Sequence, residues 1–235
     1  MLFGVRVLAL AVFVASSSQP ARAGEAIVET LSCPIGNETV NYVGTTGCTY
    51  FQRSMSLKPI TSCDFVDQVP QCPIYKFPMY RQFSEKEVER IQAFSKTDAY
   101  LTGAGSSRFY LAYIIENELA LENHKLKFEL LLNGFWYDSA STYKDDTFFD
   151  AAFKEGKRYI ETTEPDQQAF IRAVFAFARV TRGEKEVALR QIERVRSSSG
   201  YKDSFLPKYL LLLEKCANKP EAPDCQPDYE FEEQN

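Results

Sequence analysis

The chain has 235 residues, of which 45% are hydrophobic and 25% are charged, and its formal net charge at pH 7 is −5. These proportions are near the average for folded globular domains, and the length suits one domain with at most a small satellite. Because the chain is acidic and has no basic stripe, binding to nucleic acid or to an anionic membrane is disfavoured, since both depend on neutralising phosphates.

The first 23 residues have the three parts of a secretory signal peptide. Arg6 supplies a positive charge, residues 7–15 form an uncharged apolar run, and the segment ends in an Ala-x-Ala pattern at Ala23. The apolar run is shorter than the ~20 residues that a membrane-spanning helix needs. We therefore predict cleavage between Ala23 and Gly24, export to the periplasm or cell exterior, and no stable membrane insertion. An uncleaved N-terminal anchor or a buried helix is the alternative.

Residues 24–83 are rich in turns and prolines, which argues against helix. Residues 25–31 and residues 39–43 favour short β-strands. A segment of this size buries little core, so we expect covalent crosslinks to stabilise it.

All six cysteines follow the predicted cleavage site. An even number of cysteines in an exported chain indicates disulfides, although many pairings are possible. Four cysteines cluster near the mature N-terminus and two lie near the C-terminus, which favours two nested pairs and one short loop. The favoured pairs are Cys33–Cys72, Cys48–Cys63 and Cys216–Cys225.

A tetrathiolate zinc site is the alternative use of the first four cysteines. Cys33-Pro34-Ile35-Gly36 and Cys72-Pro73-Ile74-Tyr75 look like two zinc knuckles that have each lost one cysteine. Structural zinc sites usually take ligands in close Cys-x-x-Cys pairs, and these pairs are missing here. We therefore expect no cofactor.

From Ser84 onward the pattern is helical. Ser84 and Glu87 form a capping box, and apolar residues then recur at helical spacing. The predicted helices cover residues 84–95, a segment that begins at Ser107, residues 125–140, 148–160, a segment that Pro165 opens, residues 184–196 and 204–216.

The acidic, proline-bearing tail is predicted to be disordered apart from its disulfide. The sequence thus predicts an α+β, mostly α fold, in which a disulfide-linked β-rich N-terminal unit packs on a body of antiparallel helical hairpins. The predicted segments are a signal peptide at 1–23, a cysteine-rich unit at 24–83, a helical body at 84–217 and a tail at 218–235.

Residues 169–195 resemble a tetratricopeptide hairpin. Ala176 and Ala188 are small residues inside the two helices, and Gly183 lies between them. The resemblance implies two closely packed antiparallel helices. A generic antiparallel helix pair explains the same residues.

More of the chain resembles an uncharacterised family of bacterial exported proteins. These proteins share a Cys-Pro-x-Gly start, a second Cys-Pro and a Phe-Ser-acidic helix start before helical hairpins. The matching residues here are Cys33-Pro34-Ile35-Gly36, Cys72-Pro73 and Phe83-Ser84-Glu85-Lys86-Glu87. The chain departs from the pattern at Ile74-Tyr75-Lys76. The resemblance implies a fold and a periplasmic location, and it implies no catalytic residue.

The single histidine, His124, is predicted to lie in a solvated turn between two helices. The alternative is a general base or metal ligand paired with Glu118 or Glu122. The sequence contains neither a Gly-x-Ser-x-Gly elbow nor a phosphate-binding loop with its lysine.

Two groups of acids could serve a glycosidase, which needs two carboxylates across a cleft. They are Asp145-Asp146 with Asp150, and Glu116 with Glu118. Such pairs are also typical of solvated helix faces, and we predict that role for them.

Aromatic residues are concentrated between positions 109 and 143. Core packing is the simpler explanation, and an aromatic-lined concave binding surface is the alternative. The residues are Phe109, Tyr110, Tyr113, Phe128, Phe135, Trp136, Tyr137 and Tyr143.

These observations predict a non-enzymatic periplasmic interaction module whose partner is a protein or peptide of the cell envelope. An envelope hydrolase that acts on sugar or peptide through acidic residues is one alternative. A zinc-stabilised structural domain is the other.

We expect the mature protein to begin at Gly24 after export from bacterial cells, because signal peptidase cleaves after the Ala-x-Ala pattern. N-terminal sequencing of the periplasmic fraction measures this. An Ala23→Arg variant should stay uncleaved, and a wild-type protein that keeps Met1 would contradict the prediction.

Overall fold

The structure is a computed structural model that describes residues 26–66, 68–201 and 205–231. It has a mixed α+β fold that is mostly helical, as the sequence predicts. The predicted signal peptide and its cleavage site, Ala23–Gly24, lie outside the described residues.

The strands form two small antiparallel sheets. In the first, β1 (Ala26–Ser32) pairs with β2 (Thr39–Thr45), and Val28 lies opposite Val43. The second has the order β4-β3-β5, and its strands are β3 (Tyr50–Ser54), β4 (Pro59–Thr61) and β5 (Glu230–Phe231). The chain's tail therefore returns to pair with a strand from its beginning.

The helices follow in chain order and are α1 (Glu85–Phe94), α2 (Asp98–Ala104), α3 (Arg108–Glu118), α4 (His124–Tyr137), α5 (Ser139–Thr142), α6 (Asp146–Ile160), α7 (Pro165–Thr181), α8 (Lys185–Arg196) and α9 (Leu206–Asn218). Short 3₁₀ turns cover Ser199–Tyr201 and Pro223–Cys225. Among the described residues, none of the helices combines the length and the apolar character that crossing a membrane requires.

Local sequence explains where several helices begin and end. Ser84 and Glu87 form the predicted capping box of α1. Gly183 has a φ of +73° between α7 and α8, a conformation that side chains other than glycine rarely adopt. At Gly156 of α6, an added Cβ would lie 2.4 Å from a ring carbon of Phe175 and 2.9 Å from Phe128. The absence of a side chain there lets α6 approach both α4 and α7.

The buried apolar residues form two clusters. The small core cluster joins the Cys33–Cys72 disulfide and Phe77 to helices α1, α2 and α3. The large core cluster fills the space among α4, α6, α7, α8 and α9, and it includes Met55 and Leu57 from the turn after β3. The two halves of the N-terminal segment therefore belong to different cores.

The turn at residues 54–57 is buried inside the helical body. The carbonyl of Met55 accepts a hydrogen bond of 2.9 Å from the Tyr209 hydroxyl, and the carbonyl of Ser56 accepts one of 2.9 Å from Trp136 Nε1. The amides of these two residues donate to the carbonyls of Tyr229 and Pro227, at 2.8 and 3.1 Å. Side chains from two helices and backbone from the tail thus satisfy the turn.

These contacts correct the prediction of a disordered tail at residues 218–235. As far as Phe231, the described part of the tail is held by the disulfide, by β5 and by its hydrogen bonds to the turn. The Phe231 ring is buried against Tyr209, with 5.7 Å between ring centroids. In the described part of the tail the acids Glu221, Asp228 and Glu230 are exposed, whereas Cys225 and Phe231 are buried.

We predict that Tyr209→Phe lowers the free energy of unfolding by about 1–3 kcal/mol, because the buried carbonyl of Met55 would lose its donor. Burial raises the pKa of the Tyr209 phenol well above its usual value, so the hydroxyl keeps its proton. Urea titration measures the change. Tyr229→Phe is the matched control, since that ring is 44% exposed; equal losses in both variants would contradict the assignment.

Candidate functional site

The six cysteines form three disulfides, and the pairs are those that the sequence favours. The Cα–Cα distances are 5.9 Å for Cys33–Cys72, 5.5 Å for Cys48–Cys63 and 5.4 Å for Cys216–Cys225. The described residues include no free cysteine.

The zinc alternative loses its ligands for this reason. A tetrathiolate site needs four deprotonated thiols, and each cysteine sulfur here is bonded to the sulfur of one other cysteine. Glu38 lies beside the Cys33–Cys72 sulfurs, and the three residues are the one group with metal-like spacing in the described part of the chain. The Glu38 carboxylate instead accepts hydrogen bonds from the backbone amides of Ile74 and Tyr75, at 2.9 and 3.4 Å.

His124 is not a solvated turn residue, and that prediction is wrong. It is the first residue of α4, and its Nδ1 lies 2.8 Å from a carboxylate oxygen of Glu155, whose side chain is 1% exposed. Neither Glu118 nor Glu122 is its partner. Sequence reasoning missed Glu155, although the residue interrupts the buried face of α6 and could have been noticed as a charge among apolar positions.

The aspartates near the start of α6 have structural roles. Asp145 caps the helix, because its Oδ1 accepts hydrogen bonds from the amides of Thr147 and Phe148 at 2.8 and 3.1 Å. Asp146 pairs with Arg182 at 2.5 Å, and Asp150 is exposed. These three carboxylates do not face one another across a cleft.

The second acidic pair is divided between interior and surface. Glu116 is buried, and its Oε1 accepts hydrogen bonds from Tyr80 at 2.7 Å and from Arg81 at 2.8 Å. Arg81 also pairs with Glu87 at 2.7 Å, and this contact together with the Ser84 amide lowers the pKa of Glu87 to about 2. Burial raises the pKa of Tyr80 far above its usual range. The network attaches the segment before α1 to α3, and it is closed to solvent at Glu116.

The aromatic residues mostly pack inward. Phe109, Phe128, Phe135 and Tyr143 are at most 3% exposed, and the rings of Phe135 and Tyr143 stack with centroids 4.7 Å apart. Trp136 is half-buried and bonds to the turn at residues 54–57. These residues therefore do not form an aromatic-lined concave surface, and core packing explains why they are concentrated in this part of the chain.

A groove of about 940 Å³ lies elsewhere, between the end of α6, the first half of α7 and α8. We call it the α6–α8 groove. Its apolar floor includes Phe175, which is 2% exposed, and the half-buried Ile160. Its walls are polar, and the remaining lining residues are Lys157, Glu161, Pro165, Gln168, Arg172, Gln191, Glu193, Arg194 and Ser197 to Ser199.

Positive charge in the groove is less neutralised than negative charge. Of the two acids in the lining, Glu193 is paired with Arg196 at 2.6 Å, outside the lining, and Glu161 has no ion pair among the described residues, so three unpaired cations face one unpaired acid. Arg172 donates a 3.2 Å hydrogen bond to the amide oxygen of Gln168, and across residues 26–66, 68–201 and 205–231 no carboxylate lies within 4.0 Å of Lys157, Arg172 or Arg194. The groove can therefore accept acidic groups. Sequence reasoning missed it, although Gln168 and Arg172 at helical spacing mark a polar stripe on α7 beside a buried face.

Comparison of the chain with protein-family models, with curated proteins and with solved structures gives no match. The resemblances to a tetratricopeptide hairpin and to a family of exported proteins therefore stay predictions.

We expect the double variant Cys33→Ala, Cys72→Ala to lose more stability than Cys216→Ala, Cys225→Ala. The first disulfide spans 39 residues and the second spans 9. Loop-closure entropy then corresponds to about 4 kcal/mol for the first and about 2.6 kcal/mol for the second, and the first lies in a buried cluster where the substitutions also leave a cavity. Guanidinium titration measures the free energy of unfolding of both variants. A larger loss in the Cys216→Ala, Cys225→Ala variant would show that fixing the tail contributes more to stability than the length of the closed loop does.

Proposed function

We propose that the protein is exported to the periplasm and acts there as a non-enzymatic interaction module that binds a protein or peptide of the cell envelope. The α6–α8 groove is the observation that carries this proposal. It combines an apolar floor with amide and guanidinium groups on its walls.

The chemistry of the groove suits an extended segment of another chain. Gln191 offers an amide donor and acceptor that can pair with a peptide backbone, whereas the Gln168 amide is already bonded to the Thr163 carbonyl and to Arg172. Phe175 and Ile160 provide an apolar surface for a side chain of the ligand. Arg172 and Arg194 favour carboxylates, because guanidinium groups bind them with two parallel hydrogen bonds. We therefore expect an acidic segment as the ligand.

The covalent structure supports a location outside the cytoplasm. Three disulfides form and persist in oxidising compartments, whereas glutathione and thioredoxin reduce them in the cytosol. The periplasmic assignment further depends on the predicted signal peptide.

The hydrolase alternative has less support than the interaction module. Asp145 caps a helix, Asp146 pairs with Arg182, and Glu116 is buried beneath Tyr80 and Arg81. Carboxylates that hold structure in this way are poorly placed for substrate chemistry.

Site-specific photo-crosslinking in the native cells tests the proposal. A benzophenone amino acid at Gln191, which lines the groove, should give a discrete crosslinked species that mass spectrometry identifies as an envelope protein or peptide. The same amino acid at Arg190 is the matched control, because that residue is exposed, adjacent on α8 and outside the groove.

Reversing the charge of the groove should weaken the same crosslink. We predict that Arg172→Glu with Arg194→Glu lowers its yield about tenfold or more, since losing two charge-assisted contacts costs at least about 1.5 kcal/mol. Circular dichroism would establish that the variant is folded. Equal crosslinking from Gln191 and Arg190, or a yield unchanged by the charge reversal, would reject the groove as the binding site.

A further inference from the structure

A second pocket, of about 560 Å³, lies where the start of α4 meets the end of α6. We call it the α4 pocket. His124, Lys127 and Arg158 bring three basic side chains to it. The other lining residues are Ala120, Leu121, Glu122, Glu161 and Thr162.

The buried carboxylate beside the pocket already has polar partners. Glu155 has a side chain that is 1% exposed, one oxygen lies 2.8 Å from His124 Nδ1, and the other lies 3.7 Å from Arg158 Nη1. A buried carboxylate needs such partners, because removing it from water is costly. His124 Nδ1 and Arg158 are therefore partners of Glu155, and within the described part of the chain His124 Nε2 makes no hydrogen bond.

Lys127 has no such partner. The residue is 6% exposed, yet within the described part of the chain its amine makes no hydrogen bond and has no carboxylate within 4.0 Å. Its neighbour Lys125 differs, since that side chain is 60% exposed and lies 3.8 Å from Glu129. Most of the Lys127 side chain is buried, but its amine reaches solvent at the pocket that it lines, so its charge is available to a ligand that enters there.

The pocket lies between two helix ends of opposite polarity. It adjoins the N-terminal end of α4, whose dipole favours negative charge, and the C-terminal end of α6, whose dipole favours positive charge. The amine of Lys127, which has no partner among the described residues, is therefore the feature that favours an anionic group on the ligand.

We propose that the α4 pocket binds the carboxylate of a free amino acid or dipeptide, with Lys127 as its principal counter-ion. Two exposed acids, Glu122 and Glu161, also line the pocket. They oppose a dianion such as phosphate, and they offer partners for an ammonium group. A ligand that carries both a carboxylate and an ammonium group satisfies both signs of charge, and the pocket volume is within the usual range for small-molecule sites.

This site does not depend on the function proposed for the α6–α8 groove. The two share Glu161, but the groove uses Arg172 and Arg194, whereas the pocket uses Lys127 and His124. A variant with Arg172→Glu and Arg194→Glu should keep small-ligand binding while it loses the crosslinked partner. The two proposals can therefore fail separately.

Thermal unfolding of the mature protein with small probes tests the inference. The probes are a panel of free amino acids and dipeptides, each beside its C-terminal amide, with acetate and inorganic phosphate. At about ten times its Kd, a binding zwitterion should raise the melting temperature by about 3 °C, and its amide should not.

Lys127→Met removes the charge and keeps the buried stem. We expect it to weaken binding about tenfold or more and to raise the melting temperature of the ligand-free protein, since an unpaired charge is removed. Lys125→Met should change neither value. A purely structural lysine would show the opposite, a fall in the ligand-free melting temperature.

The proposal is overturned by several results. The first is that no zwitterion of the panel raises the melting temperature, and the second is that an acid and its amide raise it equally. The others are that phosphate alone raises it, or that the Lys127→Met protein binds the ligand as tightly as the wild type.

Discussion

The backbone of the turn at residues 54–57 is buried inside the helical body, and three distant parts of the chain meet its need for hydrogen bonds. Trp136 and Tyr209 donate to its carbonyls, while carbonyls of the tail accept from its amides. Buried polar backbone without partners would cost several kilocalories per mole, so each of these contacts constrains the others. The turn therefore specifies how α4, α9 and the tail lie relative to the N-terminal strands.

Two of the disulfides hold the segments whose backbone meets at this turn. Cys48–Cys63 closes the loop that carries β3, the turn and β4. Cys216–Cys225 connects the end of α9 to the tail, which brings the carbonyls at residues 227 and 229 to the turn. The Cys33–Cys72 disulfide is part of the small core cluster, beneath α1, α2 and α3. Each crosslink thus stabilises a different junction between the N-terminal segment, the helices and the tail.

Two buried carboxylates illustrate how the protein treats interior charge. Glu116 is neutralised by Arg81 and held by Tyr80, and Glu155 is held by His124 with Arg158 nearby. Each carboxylate has at least one oxygen with a polar partner, as an interior charge requires, although Glu116 Oε2 is buried without a hydrogen bond. Lys127 departs from that rule, and it does so at a pocket. A ligand that enters the pocket can supply the missing negative group.

Local features of the sequence were sufficient for most of the helices. The capping box at Ser84, the cap at Ser107 and the proline at Pro165 each mark a helix that the structure contains, because caps and the missing proline amide act over a few residues. The α+β class followed from the change of pattern at Ser84. The short helix α2 was missed, and the tail was misread, because neither contains a long periodic run of apolar residues.

The candidate sites depend on contacts that no local pattern encodes. The pair of His124 and Glu155 spans 31 residues, and the bond between Tyr209 and Met55 spans 154. Helix caps, periodicity and cysteine number are properties of neighbouring residues, so they can be read from the chain. The pairing of charges, the groove between three helices and the lysine without a counter-ion arise when distant surfaces meet, and the packing of the two cores is what brings them together.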